Sequence, residues 1–493
     1  MAATIVTARS ISGYSMNMRR KAKTQRCYSK TYRSRSLLFL LSFYAILSVC
    51  LSLKSKHFSG KTPYSWVNLV DVEDEVKEDE WYNMENLQGM ACNAVHASAV
   101  IRHGARFPGL EDVNHLIDIH HRLVNAMEPD VNPGLYEWKN KFPSNNDKAL
   151  HHLGEEEQEG LGYRIGKRLH TLFVDEDISD FRFIVSSMQR TKESASAFYE
   201  GFTRAMHTED DIDDEFDSEV NDELMRFFAL CAKYVYSVDQ NKTAYKEYHD
   251  FLEGPDIKKV TTKIYEKLGI KEDVLKPVDI RLLFLACGYE TAAFKSSPWC
   301  SVLDDDDVEV LDYLGDIRHS IKNGYTHNIT WLQSCPLLSE IFFGFDETIM
   351  EIENTEDDEE VGGFTVGQFA FGHAETIGPL HAILGLFNDS TPIRADNRIH
   401  QNNRLFRASK ISPFSANVVF VLYECVPEEF KDDEEVETAD YYLQMFINEK
   451  PHLIPGCKEM HCPYTQVRER YSHYIDRCDF KNLCKKSPLK DEL

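Results

Sequence analysis

Residues 98–109 read SAVIRHGARFPG. Within five positions, Arg102 and Arg106 set guanidiniums on either side of His103. Guanidiniums grip phosphoryl oxygens through paired hydrogen bonds. An imidazole held beside them can attack phosphorus and form a covalent phosphohistidine. The apolar run before Arg102 reads as a buried strand, which places His103 at its carboxyl edge, where open α/β sheets bind ligands. Gly104 lets the backbone approach a ligand and Pro108 stiffens the exit. The plain alternative is a surface Arg-His-Arg cluster with no role.

Two further loops carry matching chemistry. VSSMQRTKESASAF places Arg190 just after a strand, at the start of a helix whose amino end also favours an anion. FGHAETIGPL places His373 and Glu375 after another strand. His373 could donate to a phosphate, and Glu375 could protonate a leaving oxygen. His-Ala-Glu alone would equally describe a satisfied core histidine; three such junctions together point to phosphate.

The elements that must position these loops alternate. NAVHASAVIRHG reads as a strand, 156–173 as a helix, FRFIVSS as a strand and KESASAFYEGF as a helix. From about 200 to 334 the pattern is mainly helical, including NDELMRFFALCAKYVYSV and VEVLDYLGDIRHSIKNGY. Strand character returns in GGFTVGQFAFGHAET and ANVVFVLYEC. The fold class is therefore α/β: a mostly parallel sheet flanked by helices, with an inserted helical cap. The boundaries are an α/β core over 88–200, the cap over 201–334 and the rest of the core over 335–489. Residues 54–87 read as an acidic linker. The acidic runs at 209–223 and LDDDDVE at 303–309 read as solvated faces; they lack the glycine and glutamate spacing of a calcium loop.

The chain of 493 residues has 81 acidic and 55 basic side chains, a formal charge of −26. That balance argues against a nucleic-acid partner. Residues 1–35 are basic, and SLLFLLSFYAILSVCLSL (36–53) is an uncharged run of 18 residues. It reads as a transmembrane signal anchor or as the core of a cleaved signal peptide. Beyond it the charge is strongly acidic, so an anionic ligand would need a local positive pocket. Lys490-Asp491-Glu492-Leu493 reads as an address for the endoplasmic-reticulum retention receptor, and the lumen of that organelle is the expected location. Asn241, Asn328 and Asn388 stand in glycosylation triplets. Ten of the 12 cysteines follow the apolar run, as a disulfide-bonded lumenal chain would have. Cys457/Cys462, Cys478/Cys484 and Cys287/Cys300 lie close enough to close short loops, leaving Cys92, Cys231, Cys335 and Cys425 for longer links; connectivity stays open. No Cys-x-x-Cys pair occurs, against zinc or a redox dithiol.

RHGARFP, SSMQRTKESASAF and GHAET resemble the histidine phosphatase superfamily in its acid-phosphatase and phytase branch. Most of that branch carries His-Asp in the third motif; His-Ala-Glu is typical of the multiple inositol polyphosphate phosphatases. NDELMRFFALCAKY, SPWCSVLDDDDVEVLDYLGDIR, VVFVLYEC and the terminal retention signal are similar to that group, and the resemblance runs from about Cys92 onward. It implies His103 as nucleophile, Glu375 as proton donor, and Arg102, Arg106, Arg190 and His373 as phosphate ligands. It implies no metal and no cofactor. The implied substrates are inositol hexakisphosphate and lower inositol polyphosphates, with 2,3-bisphosphoglycerate as a side substrate. A broad acid phosphatase, or an inositol-phosphate binder without turnover, are the rival readings. Ala105, Phe107 and Gly109 replace hydroxyl-bearing residues of many relatives, and KNGYTH (322–327) matches a family stretch only loosely, so no role is carried to it.

Overall fold

The computed structural model describes residues 56–68, 76–82, 87, 89–145, 147–174, 176, 178–206, 216–354, 365–430 and 439–486. These fall in the unit Ser52–Leu493; the other unit, Met1–Leu51, lies outside the described residues. The basic tail, the apolar run 36–53 and the retention signal 490–493 are likewise outside them. Among the described residues no helix is long and apolar enough to cross a membrane.

One sheet organises the chain. Its strands are β1 (Met90–Arg102), β2 (Phe181–Val185), β3 (Glu219–Val220), β4 (Gly367–Gly372), β5 (Asn417–Pro427), β6 (Asp440–Ile447), β7 (Lys450–His452) and β8 (His461–Pro463). Their order is β3-β2-β4-β1-β5-β6-β7, with β8 also on β6. The β3-β2-β4-β1 half is parallel, whereas β5 to β8 run antiparallel to their neighbours. From His96 onward every residue of β1 is buried, as a strand covered on both faces requires.

After β1 the chain enters α1 (Leu110–Val124), then α2 (His152–Arg168) and α3 (Gln189–Met206). Ala97, Ala99 and Ile101 of β1 pack with Leu161 and Ile165 of α2 and Phe198 and Phe202 of α3 on one sheet face. Gly162 brings these two helices together: a Cβ there would lie 2.0 Å from the Phe198 carbonyl oxygen. The helical stretch that follows contains α4 (Pro255–Leu268), α5 (Pro277–Phe294) and α6 (Asp305–Asn323). With α1 they enclose a separate core around Trp299 and Tyr313. Helices α7 (Cys335–Asn354), α8 (Ala374–Ile383) and α9 (Tyr464–Ile475) cover the second sheet face, where Val100 and Ala370 meet Phe342, Leu380 and Tyr471.

Three sequence expectations need correction. Residues 56–68 are not a linker: Phe58 is 2 % and Tyr64 3 % exposed, and Phe58 stacks on Phe284 of α5. The 303–309 run is not a solvated face. Asp304 and Asp307 form a reciprocal cap on α6, and Asp307 is buried against Lys263. NDELMRFFALCAKYVYSV is helical, in four short segments at Asp222–Met225, Phe227–Leu230, Ala232–Tyr234 and Val235–Asp239. Its middle is held by the Cys231–Cys484 disulfide and by Lys233 N–H donating to the Cys484 carbonyl, contacts a continuous helix would not make. Cys478 and Cys484 do not pair with each other, because each sits against a different helical segment; Cys478 joins Cys335. The remaining disulfides are Cys92–Cys425, which crosses β1 and β5, Cys287–Cys300 and Cys457–Cys462.

Candidate active site

The three motif-bearing strands end at one sheet edge. Arg102 stands opposite Gly372, and Val185 opposite Phe371. The residues just beyond these ends are therefore neighbours. His103 N–H donates to the Gly372 carbonyl at 3.0 Å and Ser186 N–H to that of Phe371 at 3.3 Å.

His103 is 3 % exposed. Its Nδ1 lies 2.9 Å from the Gly104 carbonyl oxygen. A carbonyl can only accept, so Nδ1 carries the proton and Nε2 keeps its lone pair. Burial, then the Arg102 and Arg190 guanidiniums, push the imidazole well below the usual histidine range. The ring is thus a neutral nucleophile at ordinary pH.

His373 sits 5.5 Å from His103, centroid to centroid. Arg190, in the first turn of α3, donates from Nη2 to His373 Nδ1 at 3.1 Å. His373 Nε2–H then donates to Ser186 Oγ at 3.0 Å, and Ser186 Oγ–H to Thr191 Oγ1 at 2.8 Å. Thr191 Oγ1 donates onward to the Met188 carbonyl at 2.7 Å. This relay fixes the tautomer. Burial, with Arg190 next, pushes His373 down to about 3, so it too is neutral. Arg190 Nε is buried without a partner.

Arg102 is 2 % exposed, lies over the Phe414 ring at 4.6 Å and donates from Nη1 to the Ser412 carbonyl at 2.6 Å. Its Nε has no partner, and burial lowers it to about 10, as burial also lowers Arg190 to about 10. Arg106 is half-buried and its charge bears on His103, Arg102 and Arg190 together. A site that strains to hold three guanidiniums is one that an anion would relieve.

Glu375 is in the first turn of α8, 3.4 Å from Lys322 Nζ of α6. Burial works to raise its carboxyl, but the Lys322 ammonium outweighs it and holds the group well below the ordinary carboxylate range. More cations gather here. Lys61 lies over Phe414 at 5.8 Å; burial, with Arg106 and Arg102 next, lowers it far below the usual lysine range. Arg318 of α6 adds to the same field. A Cβ on Gly60 would meet the His319 ring at 2.8 Å and Arg102 Nη1 at 3.7 Å, so the glycine lets α6 close on the site. This is the local positive pocket that the acidic chain requires.

The nucleophile loop is clamped from α2. A Cβ on Gly104 would lie 2.2 Å from the Gly154 carbonyl oxygen. Glu157 accepts from Ala105 N–H at 2.9 Å and from Tyr64 N–H at 2.7 Å, and Gln158 Nε2 donates to the Arg102 carbonyl at 2.9 Å.

The structure brings Arg102, His103, Arg106, Arg190, His373 and Glu375 together. The three glycosylation asparagines lie elsewhere; Asn328 and Asn388 are exposed, whereas Asn241 is half-buried, with Nδ2 donating to Ser237. Sequence reasoning missed Lys61, Lys322, Ser186 and Thr191. Lys61 stood in a stretch whose Phe58, Tyr64 and Trp66 gave an apolar signal. Among the described residues no group of three His, Cys, Asp or Glu side chains is placed to hold a metal ion.

Sheet, motif edge and clustered cations define a phosphatase, and the chain belongs to the histidine phosphatase superfamily, branch 2, whose model matches residues 95–448. It is a phosphoric monoester hydrolase. Multiple inositol polyphosphate phosphatase 1 of Gallus gallus is 32 % identical over 431 residues, covering 87 % of this chain and 92 % of that protein. The Homo sapiens protein of the same name is 31 % identical over 446 residues, covering 87 % and 89 %. In fold, the chain is similar to the Bifidobacterium longum multiple inositol polyphosphate phosphatase crystallised with inositol hexasulfate, with a TM-score of 0.65 at 15 % identity, covering 84 % of this chain and 97 % of that one.

Proposed function

We propose that this chain removes phosphates from inositol hexakisphosphate and lower inositol polyphosphates through a phosphohistidine on His103. The observation that carries this reading is the His103 ring, protonated on Nδ1 toward Gly104, with Nε2 free among Arg102, Arg106, Arg190 and His373. Nε2 attacks phosphorus as the bond to the inositol oxygen breaks, and Glu375 gives that oxygen its proton. The Glu375 carboxylate then takes a proton from water, whose oxygen attacks phosphorus; the P–N bond breaks and inorganic phosphate leaves. Arg102, Arg106 and Arg190 stabilise the charge on the transferring group. Lys61, Arg318 and Lys322 favour a substrate with more phosphates than the one that reacts, which separates this reading from a broad acid phosphatase. Cleavage of 2,3-bisphosphoglycerate is the side reaction proposed for the same site.

Five disulfides among the ten described cysteines support a lumenal location, with glycans on exposed Asn328 and Asn388. Retention through 490–493 and an anchor or signal at 36–53 complete the proposal. The test is phosphate release from inositol hexakisphosphate by the secreted 54–489 chain, beside His103→Ala. Release by the wild type and none by the variant is expected. Ligand binding without release by the wild type would instead favour a binding protein.

A further inference from the structure

Glu375 raises a chemical difficulty. A donor to the leaving oxygen must carry a proton, yet the neighbouring Lys322 holds its carboxyl well below the ordinary carboxylate range. The nearest cause is Lys322, which lies between two carboxylates, 3.4 Å from Glu375 Oε1 and 3.1 Å from Asp239 Oδ1.

Lys322 is well placed for more than an ion pair. It ends α6, which belongs to the helical insertion, whereas Glu375 begins α8 on the sheet. The two helices touch at fixed points. A Cβ on Gly378 would lie 2.6 Å from Asn323 Cβ and 2.7 Å from its carbonyl oxygen, so the contact has no slack. The Lys322 carbonyl accepts from Tyr234 Oη at 2.9 Å, which pins its backbone. The side chains stay within reach of a ligand: Lys322 is 21 %, Glu375 29 % and Asp239 35 % exposed. Its 3.4 Å contact with Glu375 is long for a charge-assisted bond, and Asp239 keeps a partner for the ammonium if it moves away.

We propose that Lys322 is a charge-sensing residue. A second phosphate group on the substrate draws its ammonium from Glu375, and the freed carboxyl takes from solvent the proton it delivers to the leaving oxygen. This deepens the proposed function and rests on Glu375 as donor. Lys322 acts through Glu375 and so selects polyphosphorylated substrates at the chemical step. A simple alkyl phosphate fills the His103 site but leaves the ion pair closed.

Other titratable and charged groups face Glu375. His373 comes from its own loop, Lys61 from the 56–68 segment, Arg102 from the end of β1 and Arg190 from α3. His319 of α6 adds to these, while Tyr234 and Tyr245 approach from the insertion. Arg318 bears on the neighbouring His319 and Lys322. The phosphate that reacts neutralises Arg102 and Arg190 in every substrate. Lys322 is the member that a second phosphate can remove, and it is the cation with the strongest hold on the carboxyl.

The test is the pH dependence of kcat, which reports the ionisations of the enzyme–substrate complex, for three substrates: inositol hexakisphosphate, glycerol 2-phosphate and 4-nitrophenyl phosphate, whose leaving group needs no proton. In the wild type, the alkaline limb for glycerol 2-phosphate should lie at lower pH than that for hexakisphosphate. Lys322→Met should raise the glycerol 2-phosphate limb by about one pH unit or more, as loss of a close opposite charge does. The 4-nitrophenyl phosphate limb should stay in place, and Lys322→Arg should restore the wild-type gap. Asp239→Asn leaves the ammonium to Glu375 alone and should move the glycerol 2-phosphate limb the other way. An unmoved limb in both Lys322→Met and Asp239→Asn, with only KM for hexakisphosphate raised, would reduce Lys322 to a binding contact and overturn the proposal. A wild type inert to hexakisphosphate but active on monoesters would overturn the substrate reading and the sensing together; an active wild type with unmoved limbs overturns the sensing alone.

Discussion

Arg190 Nη2 donates to His373 Nδ1 at 3.1 Å, so a guanidinium from the β2 edge selects the tautomer of an imidazole from the β4 edge. The pairing exists because β2 and β4 are adjacent, parallel and end in register. With Nδ1 accepting, Nε2–H is committed to Ser186, and the ring is held by both nitrogens.

Ser186→Ala removes the acceptor for His373 Nε2–H in a buried site. Leaving such a donor unpaired costs about 1–3 kcal/mol. The expected result is a denaturation midpoint lowered in keeping with that cost, together with a fall in kcat of about 10- to 100-fold as the His373 ring loses one of its two tethers. Thr191→Val should act through the same relay, so the double variant should lose scarcely more than the worse single one. Steady-state kinetics of the three variants check this; additive losses would break the relay into separate contacts.

Gly154→Ala addresses the clamp on the nucleophile loop. The new Cβ would lie 2.2 Å from the Ala105 carbonyl oxygen and 2.5 Å from its nitrogen. Displacing backbone there moves His103 against its ligands, and about 1 Å of misplacement lowers rates about 100-fold. Overpacking itself costs about 1–3 kcal/mol. The expected variant folds with a lower urea midpoint and a kcat reduced about 100-fold. Full activity would mean that the loop is not held by this contact.

Glu449→Gln tests the joint between the amino-terminal segment and the sheet. Burial opposes the Glu449 charge, but Arg164 and Arg168 outweigh it and hold the carboxyl at about 2. Tyr64 Oη also donates to Glu449 Oε1 at 2.8 Å. The folded value lies below the ordinary 4.5, so the stabilisation is full above about pH 4.5 and is lost as pH falls toward 2. At pH 7 the variant should be less stable by about 3 kcal/mol. Urea unfolding at pH 7 and pH 3 should show that gap narrowing; a gap unchanged with pH would count against the ion pair as its source.

The parts of the site legible in the sequence are those written on strand ends. Arg102, His103, Arg190 and His373 each follow an apolar run, and parallel strands covered on both faces bring such ends to one edge whatever the loops do. Lys61 and Lys322 reach the site another way. The first arrives on a segment pinned by Phe58 and Tyr64, the second on a helix whose approach depends on Gly60 and Gly378. No local pattern encodes a helix-to-helix approach, so KNGYTH carried no readable role. The acidic run at 303–309 misleads for a similar reason. A capping carboxylate and a solvated one look alike until the helix and its Lys263 partner are in place.

Three of the disulfides span long stretches of chain: Cys92–Cys425, Cys231–Cys484 and Cys335–Cys478. Their spans overlap, so every peptide bond between Cys92 and Cys484 lies inside at least one covalent ring. A single proteolytic nick anywhere in that interval therefore leaves one molecule, separable into two chains only after reduction. In a compartment that contains proteases, a cut chain can keep its catalytic edge assembled, and a gel run without reductant would not reveal that it had been cut.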